Sequence, residues 1–230
     1  MKAKLVSYSQ PSREFLDEGI ENVQDLIAYA ARVSNPSNQF NTETSTRLLN
    51  FLAKHKHWSP FEMASACIEI ETTRDIARQI IRHRSFAFQE FSQRYAQPDA
   101  IEDTFVLREA RLQDTKNRQN SIELDPENSE EDAKLLIDWN EKQESVIEAA
   151  KEAYAWAIEN GIAKEQARAV LPEGNTKSRL YMNGSIRSWI HYIELRAGNG
   201  TQKEHMEIAR AVAKAITEIF PLAEEYVDSQ

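Results

Sequence analysis

Residues 82–95, RHRSFAFQEFSQRY, carry the densest set of groups able to do chemistry in this 230-residue chain. Arg82, His83 and Arg84 stand side by side, and Glu90, Ser92 and Arg94 follow at alternate positions among Phe86, Phe88, Phe91 and Tyr95. Guanidinium forks fix phosphates in a defined geometry, while a carboxylate and a hydroxyl can read a base edge or a ribose. Two ligands suit such a strip. One is a single-stranded nucleic acid, held by arginine and stacked on the rings; the other is a small phosphorylated molecule in a pocket. If 85–95 is extended, Phe86, Phe88, Glu90, Ser92 and Arg94 share one side, and Ala87, Gln89, Phe91, Gln93 and Tyr95 share the other. The plainer alternative is a solvated turn with a surface salt bridge.

The other polar clusters are weaker taken singly. His55 and His57 flank Lys56, but no cysteine or third nearby histidine completes a zinc site, so no metal is expected. Arg187 and His191 lie four apart on a helical pattern whose buried side can be Trp189, Ile190 and Ile193, with Arg196 farther along. Arg74, Arg78 and Arg82 recur at the same spacing in the preceding segment, and cations at 82–84 suit a helix C-terminus. The chain has no GxGxxG, no P-loop and no GxSxG, which argues against a Rossmann-bound cofactor, a standard NTPase and a serine hydrolase of the elbow type.

The elements that must position these groups can be read from periodicity. AKLVSYS near the start alternates as a strand, and helices are expected over about 22–33 and 42–57, separated by SNPSN. FEMASACIEIETT (61–73) alternates with apolar residues on both faces, which predicts a strand covered on both sides and places Cys67 in the interior. A helix is expected over 75–84. Residues 107–133 are polar and acidic, and read as a long loop or insertion. A long helix over 132–160 stops at Gly161. A short helix ends before Pro172, KSRLYMN is a strand, and helices follow over about 185–196 and 201–220. No repeat and no linker interrupts this order. The expectation is one mixed, helix-rich α/β (α+β) domain over residues 1–230.

Bulk composition narrows the class. A net charge of −9 disfavours a general duplex binder, and 41% hydrophobic content is ordinary for a globular protein. The single cysteine forbids an intrachain disulfide and fits a reducing compartment. MKAKLVSYSQ lacks the apolar core of a signal peptide, and no apolar run is long enough for a membrane span. A cytoplasmic protein without membrane or nucleic-acid partners is expected.

Arg82-His83-Arg84, seven residues, then Ser92 fits the signature of the flavin-dependent thymidylate synthases. KHKHWSPFEM resembles that family's His-x-His-x-(Thr/Ser)-Pro-Phe-Glu segment, and ARQIIRHR the helix leading into the signature. QARAVLP looks like its Ala-Arg-x-Val-Leu-Pro, and GSIRSWIHYIELR its C-terminal flavin and nucleotide segment. The matches run in order over most of the chain. Departures fall at Gln89, Ser185 and His191, where family members carry asparagine.

The resemblance implies methylation of dUMP to dTMP, with methylenetetrahydrofolate as carbon donor, FAD as hydride carrier and NADPH as reductant. It also implies a homotetramer with active sites at subunit contacts. Carried over by position, Gln79, Arg82, Glu90, Ser92, Arg94, Arg168 and Arg196 would bind dUMP, with Arg168 supplied by another subunit. Ser59, Arg82, His83, Arg84, Glu90, Ser185, Arg187 and His191 would contact FAD. His57 would stand near flavin and folate. Arg196 would pair with the uracil edge and act in catalysis. The same resemblance makes Cys67 unnecessary as a nucleophile.

Overall fold

The computed structural model describes residues 1–97, 104–198 and 200–227. Its frame is a four-stranded antiparallel sheet in the order β1-β2-β6-β3, formed by β1 (Lys2–Tyr8), β2 (Ser65–Thr73), β3 (Ala87–Glu90) and β6 (Lys177–Ser185). The central pair, β2 and β6, stays in register from Ser65 opposite Ser185 to Thr73 opposite Lys177. The helices are α1 (Arg13–Asp17), α2 (Val23–Ala31), α3 (Ser45–Lys54), α4 (Arg74–Ile80), α5 (Glu130–Glu159), α6 (Lys164–Ala167), α7 (Ile186–Arg196) and α8 (Lys203–Thr217). Among the described residues the remaining strands, β4 (Arg111–Gln113) and β5 (Ser121–Glu123), pair only with each other.

One apolar core joins the inner sheet residues Ala66, Ile68, Ile70, Leu180 and Met182 to Ile76 and Ile80 of α4, Trp189 and Ile193 of α7, and Ile208 and Val212 of α8. The helix boundaries follow local chemistry. Asn22, Ser129 and Ser185 cap α2, α5 and α7 by accepting from Asp25, Asp132 and Ser188 backbone N–H groups. Gly161, at φ +77°, ends α5 where an L side chain would be strained. Among the described residues no helix is long and apolar enough to cross a membrane.

Four sequence expectations change. β2 is buried on one face only: Ala66, Ile68 and Ile70 point into the core, while Cys67, Glu69 and Glu71 alternate onto a half-exposed outer face. Among the described residues helices cover just one side of the sheet, so Cys67 is not in the core. The helix expected over 75–84 ends at Ile80, leaving Arg82, His83 and Arg84 in the turn beyond it. The extended strip expected over 85–95 stops at Glu90, and Gln93–Tyr95 form a turn in which the Ser92 hydroxyl accepts from Arg94 N–H at 3.4 Å. Finally, residues 107–133 are not merely loop. They hold the β4–β5 hairpin and the first turn of α5, which starts at Glu130.

Candidate active site

Both helices that matter start without a loop. β2 passes at Thr73 directly into α4, and β6 passes at Ser185 directly into α7. Because the two strands are antiparallel and in register, these junctions lie at opposite ends of the sheet. Each helix turns back over the inner face, so their C-terminal ends approach each other. Seven residues of α4 and eleven of α7 span about 27 Å at ~1.5 Å per residue, close to the ~30 Å of a nine-residue strand. Where they meet, Arg196, the last residue of α7, donates from Nε to Nε2 of His83 at 3.1 Å. The negative helix ends suit the cations gathered there.

His83 stacks edge-on against the buried Tyr192 ring, 5.0 Å between centroids. Burial, with the nearby Arg196 charge adding to it, pushes the His83 pKa down to about 4. The imidazole is therefore neutral near pH 7. Since Arg196 donates to Nε2, the proton sits on Nδ1, available as a donor to a ligand. Among the described residues no carboxylate pairs with Arg196, so its remaining N–H groups are not neutralised by the chain.

Gln79, one turn before His83, is held by Gln202, whose Oε1 accepts from Gln79 Nε2 at 2.7 Å, and by His205, whose Nδ1 lies 3.3 Å from Gln79 Oε1. His205 is fully buried, and its Nε2 is 3.1 Å from the Tyr192 hydroxyl. Burial, then the charges of Arg196 and His83, push its pKa down to about 3. The sequence reading did not include Tyr192, Gln202 or His205 among the site residues.

Glu90 forms a second group. Its carboxylate accepts from Arg78 at 3.1 Å and from the Ser178 hydroxyl at 2.9 Å, with Arg74 at 3.9 Å. Glu173 reaches the same two arginines, at 3.9 Å from Arg74 and 3.8 Å from Arg78. Arg74 and Arg78 are thus neighbours of a predicted site residue; their four-residue spacing from Arg82 was the only sequence signal for them.

The other expected residues fall into further groups. Arg94 pairs with Glu165 at 3.5 Å, and Arg168 Nε reaches the Glu165 carbonyl at 3.3 Å, which brings these two arginines to one exposed corner. Arg187 is ion-paired with Glu62, and His191 meets the Trp58 ring edge-on at 4.8 Å, beside Ser59. Ser185 is occupied as the α7 cap. His57 is exposed, in a loose cluster with Phe51 and His55. Arg82 and Arg84 are exposed. The chain therefore unites Gln79, His83 and Arg196, sets Arg94 and Arg168 together at an exposed corner whose Arg168 charge also acts on Arg74 beside Glu90, and leaves Arg187 paired with Glu62 and His57 exposed. Among the described residues no cluster of three or more His, Cys, Asp or Glu side chains could hold a metal ion.

Comparison with known proteins gives a consistent result. The model of the thymidylate synthase complementing protein family matches residues 5–222. The chain is 47% identical over 228 residues to a probable flavin-dependent thymidylate synthase of Paramecium bursaria Chlorella virus 1, covering 99% of both chains. It is 46% identical over 222 residues to the flavin-dependent thymidylate synthase of a Synechocystis strain, covering 96% of each. A solved structure of the UMP/dUMP methylase PolB from Streptomyces cacaoi shares the fold, with a TM-score of 0.77 at 24% identity over 98% of this chain and 93% of that one.

Proposed function

The chain belongs to the flavin-dependent thymidylate synthase family, and from that premise we propose that it methylates dUMP to dTMP, using methylenetetrahydrofolate as carbon donor, FAD and NADPH. The observation that carries this reading is the meeting of Arg196 with His83 beside Gln79, in a chain that matches such enzymes from end to end. FAD, when bound, supplies the hydride carrier that links NADPH oxidation to reduction of the transferred carbon.

The residues present fit that cofactor. Arg82 and Arg84 project from the turn into solvent, where guanidinium groups can take a diphosphate. Neutral His83 offers its Nδ1–H. His191 meets Trp58 beside Ser59, Arg187 would exchange Glu62 for a phosphate, and Ser185, at the start of the same helix, is assigned to the same cofactor. His57 adjoins Trp58 in the chain, beyond the end of α3. Gln79, Arg82, Glu90, Ser92, Arg94 and Arg168 are assigned to dUMP. Arg196 is assigned to the uracil edge, where a fixed guanidinium favours the negative charge that develops on the ring.

The grouping of these residues supports a homotetramer with shared sites. Arg94 and Arg168 stand at an exposed corner with Glu165, outside the Gln79–His83–Arg196 group, and copies of the chain would bring the two groups together. The long α5 supports such assembly, since it exposes Ile137, Val146 and Trp156 by 58%, 53% and 60%. The test is release of tritium from 5-tritiated dUMP by the purified yellow protein with methylenetetrahydrofolate and NADPH. No release by flavin-loaded protein would overturn the proposal.

A further inference from the structure

Gln79 belongs to a longer chain of hydrogen bonds, and every bond in it has a definite sense. At one end the Glu204 carboxylate lies 3.1 Å from Arg108 and is hydrogen-bonded by Arg111. Burial raises the Glu204 pKa, but the Arg111 hydrogen bond, its own backbone N–H, and the Arg108 and Arg111 charges outweigh this and hold it below the ordinary value. An ionised carboxylate only accepts. Gln202, whose side-chain nitrogen is 3.0 Å from Glu204 Oε2, must therefore turn its amide N–H to Glu204 and its carbonyl to Gln79. Gln79 must then turn N–H to Gln202 and its carbonyl to His205. His205 must carry its proton on Nδ1, leaving Nε2 to accept from the Tyr192 hydroxyl. Reversing Gln202 would set acceptor against acceptor at Glu204, and reversing Gln79 alone would do so at Gln202.

We infer that Glu204, Gln202 and His205 are positioning residues for dUMP binding: the carboxylate, fixed by Arg108 and Arg111, sets the sense of a relay that holds the Gln79 amide in one orientation. Gln79 then keeps one N–H and one carbonyl lone pair in fixed directions for the nucleotide. This rests on the assignment of Gln79 to dUMP made above. It also gives a task to the 107–133 segment, which supplies Arg111 and is braced against the start of α8 by Lys203, bonded to Glu109 and Glu123 at 3.0 Å and 2.6 Å. Arg108 is itself fixed by α5, through Gln143 and Trp139. Tied down in this way, the segment acts on Gln79 through Glu204 and Gln202.

The test is a double-mutant cycle read by calorimetric dUMP binding. Gln202→Leu leaves the Arg108–Glu204–Arg111 cluster intact and cuts the relay. The expected result is dUMP affinity about tenfold weaker in both Gln202→Leu and Gln79→Leu, with the double variant no weaker than either alone. A second arm exchanges the groups. Glu204→Gln alone should weaken binding, and Gln202→Glu/Glu204→Gln should restore it, because a carboxylate at 202 still demands N–H from Gln79. At pH 7 the nitrogen-15 spectrum of His205 should show a protonated Nδ1 and a bare Nε2. Weakened binding in Gln79→Leu beside unchanged binding in Gln202→Leu overturns the relay. Additive losses, or a His205 protonated on Nε2, overturn it as well. Unchanged binding in Gln79→Leu overturns both the relay and the assignment of Gln79 beneath it.

Discussion

Gly184→Ala puts two effects of opposite sign in competition. Glycine inside a strand costs ~0.5–1 kcal/mol relative to alanine, so with free space the substitution would stabilise β6. There is no free space. A Cβ at position 184 would fall 2.4 Å from Cδ1 and 2.7 Å from Cε1 of Phe86. Carbon atoms in contact sit at about 3.5–4.0 Å, so the ring must move by roughly 1 Å. It cannot move inward. Its edge rests on Trp189, at 4.6 Å between centroids, and that fully buried indole is tied to the Ala66 carbonyl at 3.0 Å. The ring must swing outward with its backbone, which hangs from His83 through the Phe86 N–H to His83 carbonyl bond. Overpacking of this kind costs ~1–3 kcal/mol, and at about 2 kcal/mol a chain of this size melts roughly 4–8 °C lower. Thermal melting should show that loss together with reduced flavin content, since His83 and Arg84 move with Phe86. Adding Phe86→Leu to Gly184→Ala should recover part of both. A Gly184→Ala protein that melts at or above the wild-type temperature with full flavin would refute the argument.

Arg196→Lys keeps the charge but loses the planar group that meets His83 at 3.1 Å, so turnover should fall far more than flavin content; equal turnover in a flavin-loaded variant removes Arg196 from the chemistry. Arg94→Ala should weaken dUMP binding by about 10–150-fold, for a charged hydrogen bond of ~1.5–3 kcal/mol, with little change in melting because its pairing with Glu165 is half exposed. Normal dUMP affinity by calorimetry would exclude Arg94 from the pocket. Cys67→Ala should retain dTMP formation, because burial pushes the Cys67 thiol up, away from thiolate, and the residue lies on the outer sheet face; a folded, flavin-loaded variant without product would reopen a thiolate mechanism. His205, neutral in the fold down to about pH 3, is protonated below about pH 6.5 when unfolded. Its contribution to stability is complete above pH 6.5 and is lost as pH falls below that value. Denaturant unfolding between pH 7 and 5 should show a decline that His205→Leu flattens, and an equal slope in the variant would contradict the assignment.

Local pattern was enough to locate β1, β2, β6 and most helices, because each has a clean period and its own stop signal, such as Gly161 after α5. What was illegible depends on residues distant in sequence. The alternation of FAFQEFSQRY continues past Glu90, yet β3 ends there because the β6 edge beyond it is already taken: Lys177 donates to Thr104, and Phe105 bridges to Thr176. The outer face of β2 looked buried because Phe61, Met63 and Cys67 lie on one alternation, but Phe61 and Met63 precede the strand and only Cys67 is in it. The motif residues were legible as types, and their grouping was not. Gln79 and Gln202 are 123 positions apart, so nothing local could announce that one orients the other.

The loopless passage from strand to helix at Thr73 and Ser185 has a consequence for how this sequence can change. With no slack at either junction, the separation of His83 and Arg196 is set by a count of residues, as the marks on a ruler set a length. One residue added to β2 would slide α4 by ~3.3 Å along the sheet and turn every following side chain to the opposite face. One added within α4 would rotate the RHR turn by about 100° around the helix axis. Neither error can be absorbed nearby, whereas the hairpin of β4 and β5 can lengthen at its tip between Asp114 and Asn120 without moving either helix. Length variation between relatives should therefore collect in that hairpin tip and be absent from residues 65–83 and 177–196, a pattern that natural selection on one hydrogen bond, between Arg196 and His83, is enough to produce.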